Sequence, residues 1–447
     1  MKGEYEEYTY HPREPENEKK RLLIPALSRA DVISHHCYAG TQDFNNFHVL
    51  VAGAGTGDSA LFWAEQLRDK ENARLVYFDM SSASMAVAKE RAQIRQLDNI
   101  EWHQGSILDL PSLDLGQFDF IECSGVLHHL ADPDEGLRAL RSVLKPDGVI
   151  DIMVYATYGR TAVYHMQELM RLVNGGEADR QKEVENTKKI IDALPPQNWF
   201  SVGQEHVVYM HDVEKDAGLY DLLLHTQDRA YTITDIYAWL GRCSLEMTGV
   251  PGIGTSEHMF YHPETFIQDS ALLAQVKRQP PAVQQAIAEN MCGRIIKHHF
   301  YCSHAGHGSR AVDIQECWGM VPYAGIVEVP PYADIAKAFA SQPDRPVIIT
   351  SDKYEGMPVF NLNGGKLEAA ILCLIDGQRT VEDIFNTVRD LPDFKRKKPT
   401  KFDFMKVFTP MAIALNRVNH LFLRDKSVAP YTRTSVFENR VKDLYGE

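Results

Sequence analysis

This sequence of 447 residues lacks long apolar runs, a paired cysteine framework and an excess of positive charge. No apolar run reaches the ~18 residues that a membrane-spanning helix needs. The 7 cysteines are scattered and odd in number, which indicates reduced thiols. The first twenty residues, MKGEYEEYTYHPREPENEKK, are acidic and polar, unlike a secretory signal. We therefore expect a cytoplasmic protein without a membrane partner.

Charge is distributed unevenly along the chain. The 61 acidic and 47 basic residues give a net charge of −14, which argues against nucleic acid as the main ligand. From Leu391 to Glu447, 12 basic residues face 6 acidic ones, so this tail carries +6 and the preceding residues carry −20. A negative body can steer a cationic acceptor such as a lysine-rich segment towards it.

Short apolar runs alternate with helix-length segments between Asn46 and Tyr155, as in a parallel α/β sheet. Five runs are candidate strands: HVLVAG from His48, RLVYFD from Arg74, IEWHQG from Ile100, FDFIECSG from Phe118 and GVIDIMVYA from Gly148. Two helical segments then indicate an insertion, and CSLEMTG and EHMFYHP are expected to supply the last strands of a doubly wound, seven-stranded sheet.

The length and these patterns predict several units along the chain. They are an N-terminal lid segment (1–45), the α/β core (46–265) with a helical insertion (about 160–232), a helical connector (266–325) and a winged-helix-like α+β domain (326–447). Tyr5, Tyr8 and Tyr10 could fold over a ligand as part of the lid, with a frayed terminus as the alternative.

A glycine-rich turn follows the first strand, in HVLVAGAGTGDSALFWAEQL. Glycines let the backbone approach a ligand closely, and the N-terminus of the next helix offers N–H groups to an anion. The pattern is GxGxG, with Asp58 where a dinucleotide fingerprint needs a small residue, which counts against NAD or FAD. Asp79 ends the second strand, where a carboxylate can accept hydrogen bonds from both hydroxyls of a ribose.

Three further motifs follow in order: QGSILDLP, FDFIECSGVLHHLADP and LRSVLKPDGVIDIMVYA. Together with the glycine turn and Asp79, they resemble the class I S-adenosylmethionine-dependent methyltransferases, most strongly over residues 46–156. The resemblance implies a Rossmann-like fold, S-adenosyl-L-methionine as cofactor, and transfer of its methyl group to a nucleophile.

The resemblance also implies a cofactor site, motif by motif. The methionine moiety is expected against Ala52, Gly53, Gly55 and Gly57, the ribose on Asp79, the adenine near Met80, Ser106 and Ile107, and the sulfonium near Cys123, Ser124 and Val126. One departure concerns Ser106, because relatives commonly carry an aspartate there to hold the adenine amino group.

In-line methyl transfer relies on proximity and orientation, and an amine acceptor must arrive deprotonated. Candidate proton acceptors follow strands four and five: His128, His129, Tyr155 and Tyr158. The alternative is that the histidines cap a loop and the tyrosines only pack. Arg160, His225, Asp228 and Arg229 are candidates for binding the acceptor, although an Asp–Arg pair could instead fix the insertion onto the core.

A second, patchier resemblance extends over most of the chain, through YTYHP, YGRTAVY, the Tyr220–Leu240 stretch and DGQRTVEDI. These segments resemble bacterial protein-lysine methyltransferases with an appended regulatory domain, among them rickettsial enzymes acting on outer-membrane proteins. A protein lysine is therefore the leading acceptor. The alternatives are a small metabolite or natural product, and a cofactor-sensing regulator that binds DNA or a partner through its tail. A homo-oligomer is compatible with the sequence.

Two remaining segments are less informative. HHFYCSHAGH offers His298, His299, Cys302, His304 and His307, but its spacing matches no paired metal framework, so we expect surface histidines, a buried cysteine and no metal. The basic run KRKKPTK (395–401) could meet DNA, but a solvated loop between helices is favoured.

Overall fold

A mixed seven-stranded β-sheet lies at the centre of the molecule. The computed structural model describes residues 13–445 except 26, 178, 204–215, 226, 252–256, 309, 327–331, 342–345, 351–357 and 418. The strands lie in the order β3-β2-β1-β4-β5-β7-β6, with β7 antiparallel to both of its neighbours. The predicted doubly wound α/β sheet is confirmed. Tyr5, Tyr8 and Tyr10 lie outside the described residues.

The sheet strands are β1 (His48–Ala52), β2 (Arg74–Asp79), β3 (Glu101–Gln104), β4 (Phe118–Ser124), β5 (Leu144–Tyr155), β6 (Leu245–Gly249) and β7 (Lys297–His304). The helices up to β7 are α1 (Ala30–Cys37), α2 (Asp58–Leu67), α3 (Ser82–Ile94), α4 (Pro133–Ser142), α5 (Thr161–Val173), α6 (Arg180–Ala193), α7 (Asp216–Leu223), α8 (Ile233–Arg242), α9 (Ser270–Val276) and α10 (Pro281–Cys292). Short 3₁₀ helices also occur at Pro15–Lys19, Ile107–Ser112 and Leu127–His129, and residues of the last two line the site described below.

Helices cover both faces of the sheet, and strand residues alternate between two apolar cores. One core holds Leu50, Phe78 and Ile121, and the other holds Val49, Tyr77 and Phe120. Helices α5, α6 and α7 contribute to a third core, which includes Met166, Val184 and Leu222. None of the described helices is long and apolar enough to cross a membrane.

The position of the seventh strand differs from the sequence-based expectation. EHMFYHP was expected as a strand but contains a 3₁₀ helix (Glu257–Tyr261), whereas β7 lies inside the stretch predicted to be a helical connector. The expectation of surface histidines there was wrong for His298, which is fully buried. Its Nδ1 lies 2.8 Å from the Tyr261 hydroxyl and its Nε2 lies 3.0 Å from the Tyr231 carbonyl oxygen, so hydrogen bonding compensates for its burial.

The C-terminal part contains β8 (Val321–Ala324), α11 (Tyr332–Ser341), β9 (Pro346–Thr350), β10 (Pro358–Asn363), α12 (Lys366–Leu374), α13 (Val381–Asp390), α14 (Lys401–Arg417), β11 (Leu421–Arg424) and α15 (Thr434–Tyr445). Helices α11 to α14 share one apolar core. The winged-helix detail is not confirmed: β9 and β10 form an antiparallel pair between α11 and α12, and β11, the strand after α14, pairs with the distant β8. The basic run before α14 is largely exposed.

The N-terminal segment is fixed to the sheet by buried charges. Glu18 is 3% exposed, and the Arg91 side chain donates to its Oε1 from Nη2 at 2.6 Å. Arg95 donates to the other oxygen of the same carboxylate. Arg91 also donates to the Thr56 carbonyl oxygen at 2.7 Å, so one guanidinium connects the N-terminal segment to the glycine-rich turn.

Candidate active site

A cavity of about 550 Å³ opens where β1, β2, β4 and β5 end. The carboxyl ends of parallel strands are the usual position of a ligand site in an open α/β sheet. The glycine-rich turn and Asp79 line one end of this cavity, and Tyr155 and Arg160 line the other. Because the sequence predicts the cofactor beside the glycine-rich turn and the methyl acceptor beyond β5, we refer to these as the cofactor end and the acceptor end.

Backbone geometry at the cofactor end requires glycine. Gly53 and Gly57 have φ angles of +74° and +98°, and a Cβ atom on Gly53 would collide with Val126. The Gly55 N–H donates to Asp79 Oδ2 at 2.7 Å, and the Ser81 N–H donates to Asp79 Oδ1 at 2.8 Å. Asp79 therefore holds the turn in shape in addition to facing the cavity.

Most of the predicted cofactor residues line this cavity: Gly53, Gly55, Gly57, Asp79, Met80, Ser106, Ile107, Ser124 and Val126. Ala52 and Cys123 do not, because their side chains pack into the apolar core with 1% and 0% exposure. Alternation along a strand explains this correction, since Val51 and Glu122, one residue earlier, line the cavity instead. Burial also raises the pKa of the Cys123 thiol.

Ser106, which the sequence places near the adenine, has a structural role at the cofactor end. Its Oγ accepts a hydrogen bond from the Leu108 N–H at 3.3 Å, and Asp109 Oδ2 accepts one from the Ser106 N–H at 3.2 Å. This capping box begins the 3₁₀ helix Ile107–Ser112. Ile107 and Leu108 line the cavity beside this capping box and make the wall largely apolar at this point.

The acceptor end combines residues from distant parts of the chain. His129, Tyr155, Arg160, Asp221 and Lys297 all line it. The Arg160 guanidinium carbon lies 3.6 Å from the centre of the Tyr155 ring. The Tyr155 hydroxyl donates to Asp221 Oδ2 at 3.4 Å, and this aspartate comes from α7 of the insertion.

Several predicted catalytic and substrate residues lie outside the cavity lining. The His128 side chain is buried behind Tyr155, with the two ring centres 4.1 Å apart. Tyr158 is 36% exposed, and Arg229 is also exposed. The ring centres of His225 and His129 lie 4.0 Å apart, and Asp228 Oδ2 lies 3.7 Å from Arg160 Nη2. His225 and Asp228 therefore support the lining, whereas Tyr158 and Arg229 do not reach it.

Sequence reasoning missed a buried carboxylate on the cavity floor. Glu122 is 3% exposed, and its Oε2 accepts hydrogen bonds from Ser28 Oγ at 2.8 Å and Trp63 Nε1 at 3.1 Å. Ser59 donates to its other oxygen. Burial raises the pKa of Glu122 in spite of these donors. A charged residue inside the apolar run FDFIECS was the available signal.

The sequence predicts a lid in residues 1–45 but does not identify which of its residues line the cavity, and it also misses Asp58, Met153 and Lys297. Leu23, Ile24 and Pro25 form part of the wall near the glycine-rich turn, and Met153 and Lys297 complete the lining near Tyr155. Burial alone would raise the pKa of Asp58, but hydrogen bonds from Arg13 and the charge of Arg91 hold it below its usual value. The first residue of α2 therefore stays ionised.

Comparison with known proteins agrees with this geometry. A family model described as a methyltransferase domain matches residues 50–150. An uncharacterized protein from Synechococcus is 34% identical over 239 residues, which are 53% of this chain and 55% of that protein. The ubiquinone biosynthesis O-methyltransferase of Acinetobacter baylyi is 28% identical over 140 residues, covering 30% and 56%. The chain spans about half the length of these two relatives.

Two other matches cover a larger share of the matched protein. The tRNA 5-carboxymethoxyuridine methyltransferase of Escherichia coli is 26% identical over 205 residues, 43% of this chain and 76% of that protein. The structure of PKMT2 from Rickettsia typhi matches with a TM-score of 0.62 and 16% identity, over 90% of this chain and 76% of that one. From the strand order, the cavity and the match over residues 50–150, we conclude that the chain contains a class I S-adenosylmethionine-dependent methyltransferase domain.

Proposed function

We propose that this chain transfers the methyl group of S-adenosylmethionine to an amine at the acceptor end of the cavity, with the side chain of a protein lysine as the leading acceptor. The observation that carries the proposal is the continuity of one cavity. It joins the glycine-rich turn and Asp79 to the buried polar residues Tyr155 and Asp221.

The cofactor would lie along the carboxyl ends of the strands. Asp79 would accept hydrogen bonds from the ribose hydroxyls, and Met80, Ile107 and Leu108 would contact the adenine. Glu122 lies beneath the glycine-rich turn, opposite Val51 in the register of β1 and β4. Its carboxylate would suit the ammonium group of the methionine moiety. This arrangement would direct the sulfonium methyl group towards Tyr155.

The acceptor end suits an amine for two reasons. Asp221 and the Tyr155 hydroxyl could accept hydrogen bonds from a nitrogen. Arg160 and Lys297 add positive charge at the same end, which disfavours the ammonium form and so favours the neutral amine that attacks the methyl group. The charge of −20 before Leu391 would draw a basic protein towards the enzyme.

Cofactor binding tests the first part of this proposal. We expect S-adenosylmethionine and S-adenosylhomocysteine each to bind with one-to-one stoichiometry in calorimetry. Absence of binding by both at millimolar concentration would rule out the methyltransferase activity altogether.

The acceptor class is tested with a methyl-labelled cofactor in cell extract. We expect the label to enter protein and to be recovered as methylated lysine after hydrolysis. Asp221→Asn should reduce labelling about tenfold or more while cofactor affinity is unchanged, because a buried hydrogen-bonding carboxylate is lost. Asp192→Asn, on an exposed part of the same insertion, is the matched control.

A second candidate is O-methylation of a small molecule. Arg160 and Lys297 would stabilise a phenolate or a carboxylate-bearing acceptor as well as they disfavour an ammonium. Recovery of the label in small solutes, with none in protein, would select this candidate over the lysine.

A further inference from the structure

We propose that His128, His129 and Asp228 form a binding site for a divalent transition-metal ion beside the acceptor end. The two histidines belong to the 3₁₀ helix after β4, and the aspartate precedes α8. One ligand atom from each side chain lies within 4.8 Å of the others. Metal–ligand bonds of ~2.0–2.2 Å require only small side-chain rotations from this arrangement.

Hydrogen bonding leaves suitable ligand atoms available at all three residues. Among the described residues, neither ring nitrogen of the buried His128 has a hydrogen-bond partner. His129 Nδ1 lies 2.8 Å from the Gln227 carbonyl oxygen, which assigns its proton to Nδ1 and leaves Nε2 as the ligand. Donation of the second ring N–H to a backbone carbonyl is typical of metal-binding histidines.

The two carboxylate oxygens of Asp228 differ in the same way, with one hydrogen-bonded and the other available as a ligand. Oδ2 accepts a hydrogen bond from Gln167 Nε2 at 3.0 Å and lies near Arg160, whereas Oδ1 is buried without a partner in the described part of the chain. Leaving a buried polar atom unsatisfied costs ~1–3 kcal/mol. A bound ion would satisfy Asp228 Oδ1 and a His128 nitrogen together.

The chemistry of the three side chains also suits a metal ion. Arg160 opposes a cation, but its guanidinium lies over the Tyr155 ring and beside the Asp228 oxygen that is not the proposed ligand. Two imidazoles and one carboxylate favour Zn²⁺, Co²⁺ or Fe²⁺ over Mg²⁺ or Ca²⁺.

The site would have a role beside the acceptor, and this role rests on the proposed function. Because His129 lines the cavity, a coordination position not taken by protein would face the acceptor. A metal-bound water has a pKa of ~7, so the bound hydroxide would take one proton from the lysine ammonium, giving water and a neutral amine. The spacing of His and Cys in HHFYCSHAGH predicts no metal, but His128, His129 and Asp228 belong to other segments of the chain.

The metal site is tested without cofactor or acceptor, so its outcome is independent of methyl transfer. The full chain is stripped with a chelator and titrated with Zn²⁺ and with Co²⁺ by calorimetry and elemental analysis. We expect one equivalent to bind, and His128→Gln and Asp228→Asn each to weaken this binding about 100-fold or more. The exposed His165→Gln is the control.

Two results would overturn the site. The first is the absence of a bound equivalent in the unmodified protein, and the second is unchanged binding in both variants. If either variant fails to fold, the visible spectrum of the Co²⁺-loaded unmodified protein decides. Bands from thiolate ligation would assign the ion to a cysteine site and reject the proposal, whereas bands of nitrogen and oxygen ligation without thiolate support it.

Discussion

The two ends of the cavity are built in different ways. Residues 51–126 supply most of the cofactor end, through consecutive strand ends and turns. The acceptor end draws on His129, Tyr155, Arg160, Asp221 and Lys297, which belong to separate segments including the insertion and β7. The proposed cofactor site is therefore encoded by local sequence, whereas the proposed acceptor site is assembled from distant segments by the topology of the fold.

The largest expected effect is on the free energy of unfolding, and it tests the idea that the cofactor end depends only on nearby residues. It concerns Glu18, which belongs to the N-terminal segment next to the cofactor end. Glu18→Gln leaves Arg91 and Arg95 without their shared carboxylate partner. Removal of one partner from a buried ion pair costs ~3–5 kcal/mol. We expect chemical denaturation to report a loss of this size in the free energy of unfolding.

Glu16→Gln is the control for this experiment, because Glu16 is an exposed partner of Lys19 in the same 3₁₀ helix. It should change the unfolding free energy by under ~1 kcal/mol. Equal effects of the two substitutions would show that the N-terminal segment contributes little to the cofactor end.

A smaller effect would sharpen the comparison. Asp79→Ala removes the carboxylate that accepts hydrogen bonds from the Gly55 and Ser81 N–H groups and faces the ribose position. Hydrogen bonds to charged groups contribute ~1.5–3 kcal/mol, so cofactor affinity should fall about 10- to 100-fold in calorimetry. The exposed Asp114→Ala should bind normally, as should Asp221→Asn. Weak cofactor binding by Asp221→Asn would contradict the separation of the two ends.

The smallest effect concerns two neighbouring tyrosines of the acceptor end. Tyr155→Phe removes a hydroxyl that lines the cavity and bonds to Asp221, so kcat/KM should fall up to about tenfold. Tyr158→Phe should stay within about twofold, because this partly exposed side chain does not line the cavity. Steady-state assays with saturating cofactor measure both, and a larger loss in Tyr158→Phe would assign that tyrosine to the site.

Local signals explain what the sequence predicted well. The glycine-rich turn needs positive φ angles that few other residues adopt, and buried parallel strands read as apolar runs. The first five strands of the sheet follow from these patterns, whereas the seventh strand does not. It was harder to predict which face of the sheet each strand residue lies on, because Ala52 and Cys123 belong to the right strands but face the core. The choice between them and Val51 or Glu122 depends on which sheet face the cavity meets.

Non-local packing explains what the sequence did not predict. The sequence predicts surface histidines in β7, but in the structure His298 is buried, with the Tyr261 hydroxyl and the Tyr231 carbonyl oxygen as hydrogen-bond partners. Likewise, the sequence offers no signal at Asp221. At Asp228 it predicts an acceptor-binding residue or an Asp–Arg pair, but not a position beside the histidines after β4. Their positions depend on how the insertion packs, which no local pattern specifies.

Some ion pairs join residues that are far apart in the sequence, and this has a consequence for synthesis on the ribosome. Glu18 emerges early, but its partners Arg91 and Arg95 are translated more than seventy residues later. Arg440 Nη2, which donates to Asp69 at 2.6 Å, arrives later still. Glu18 can therefore form these ion pairs only after α3 has been translated, and we expect the wall formed by Leu23–Pro25 to close no earlier.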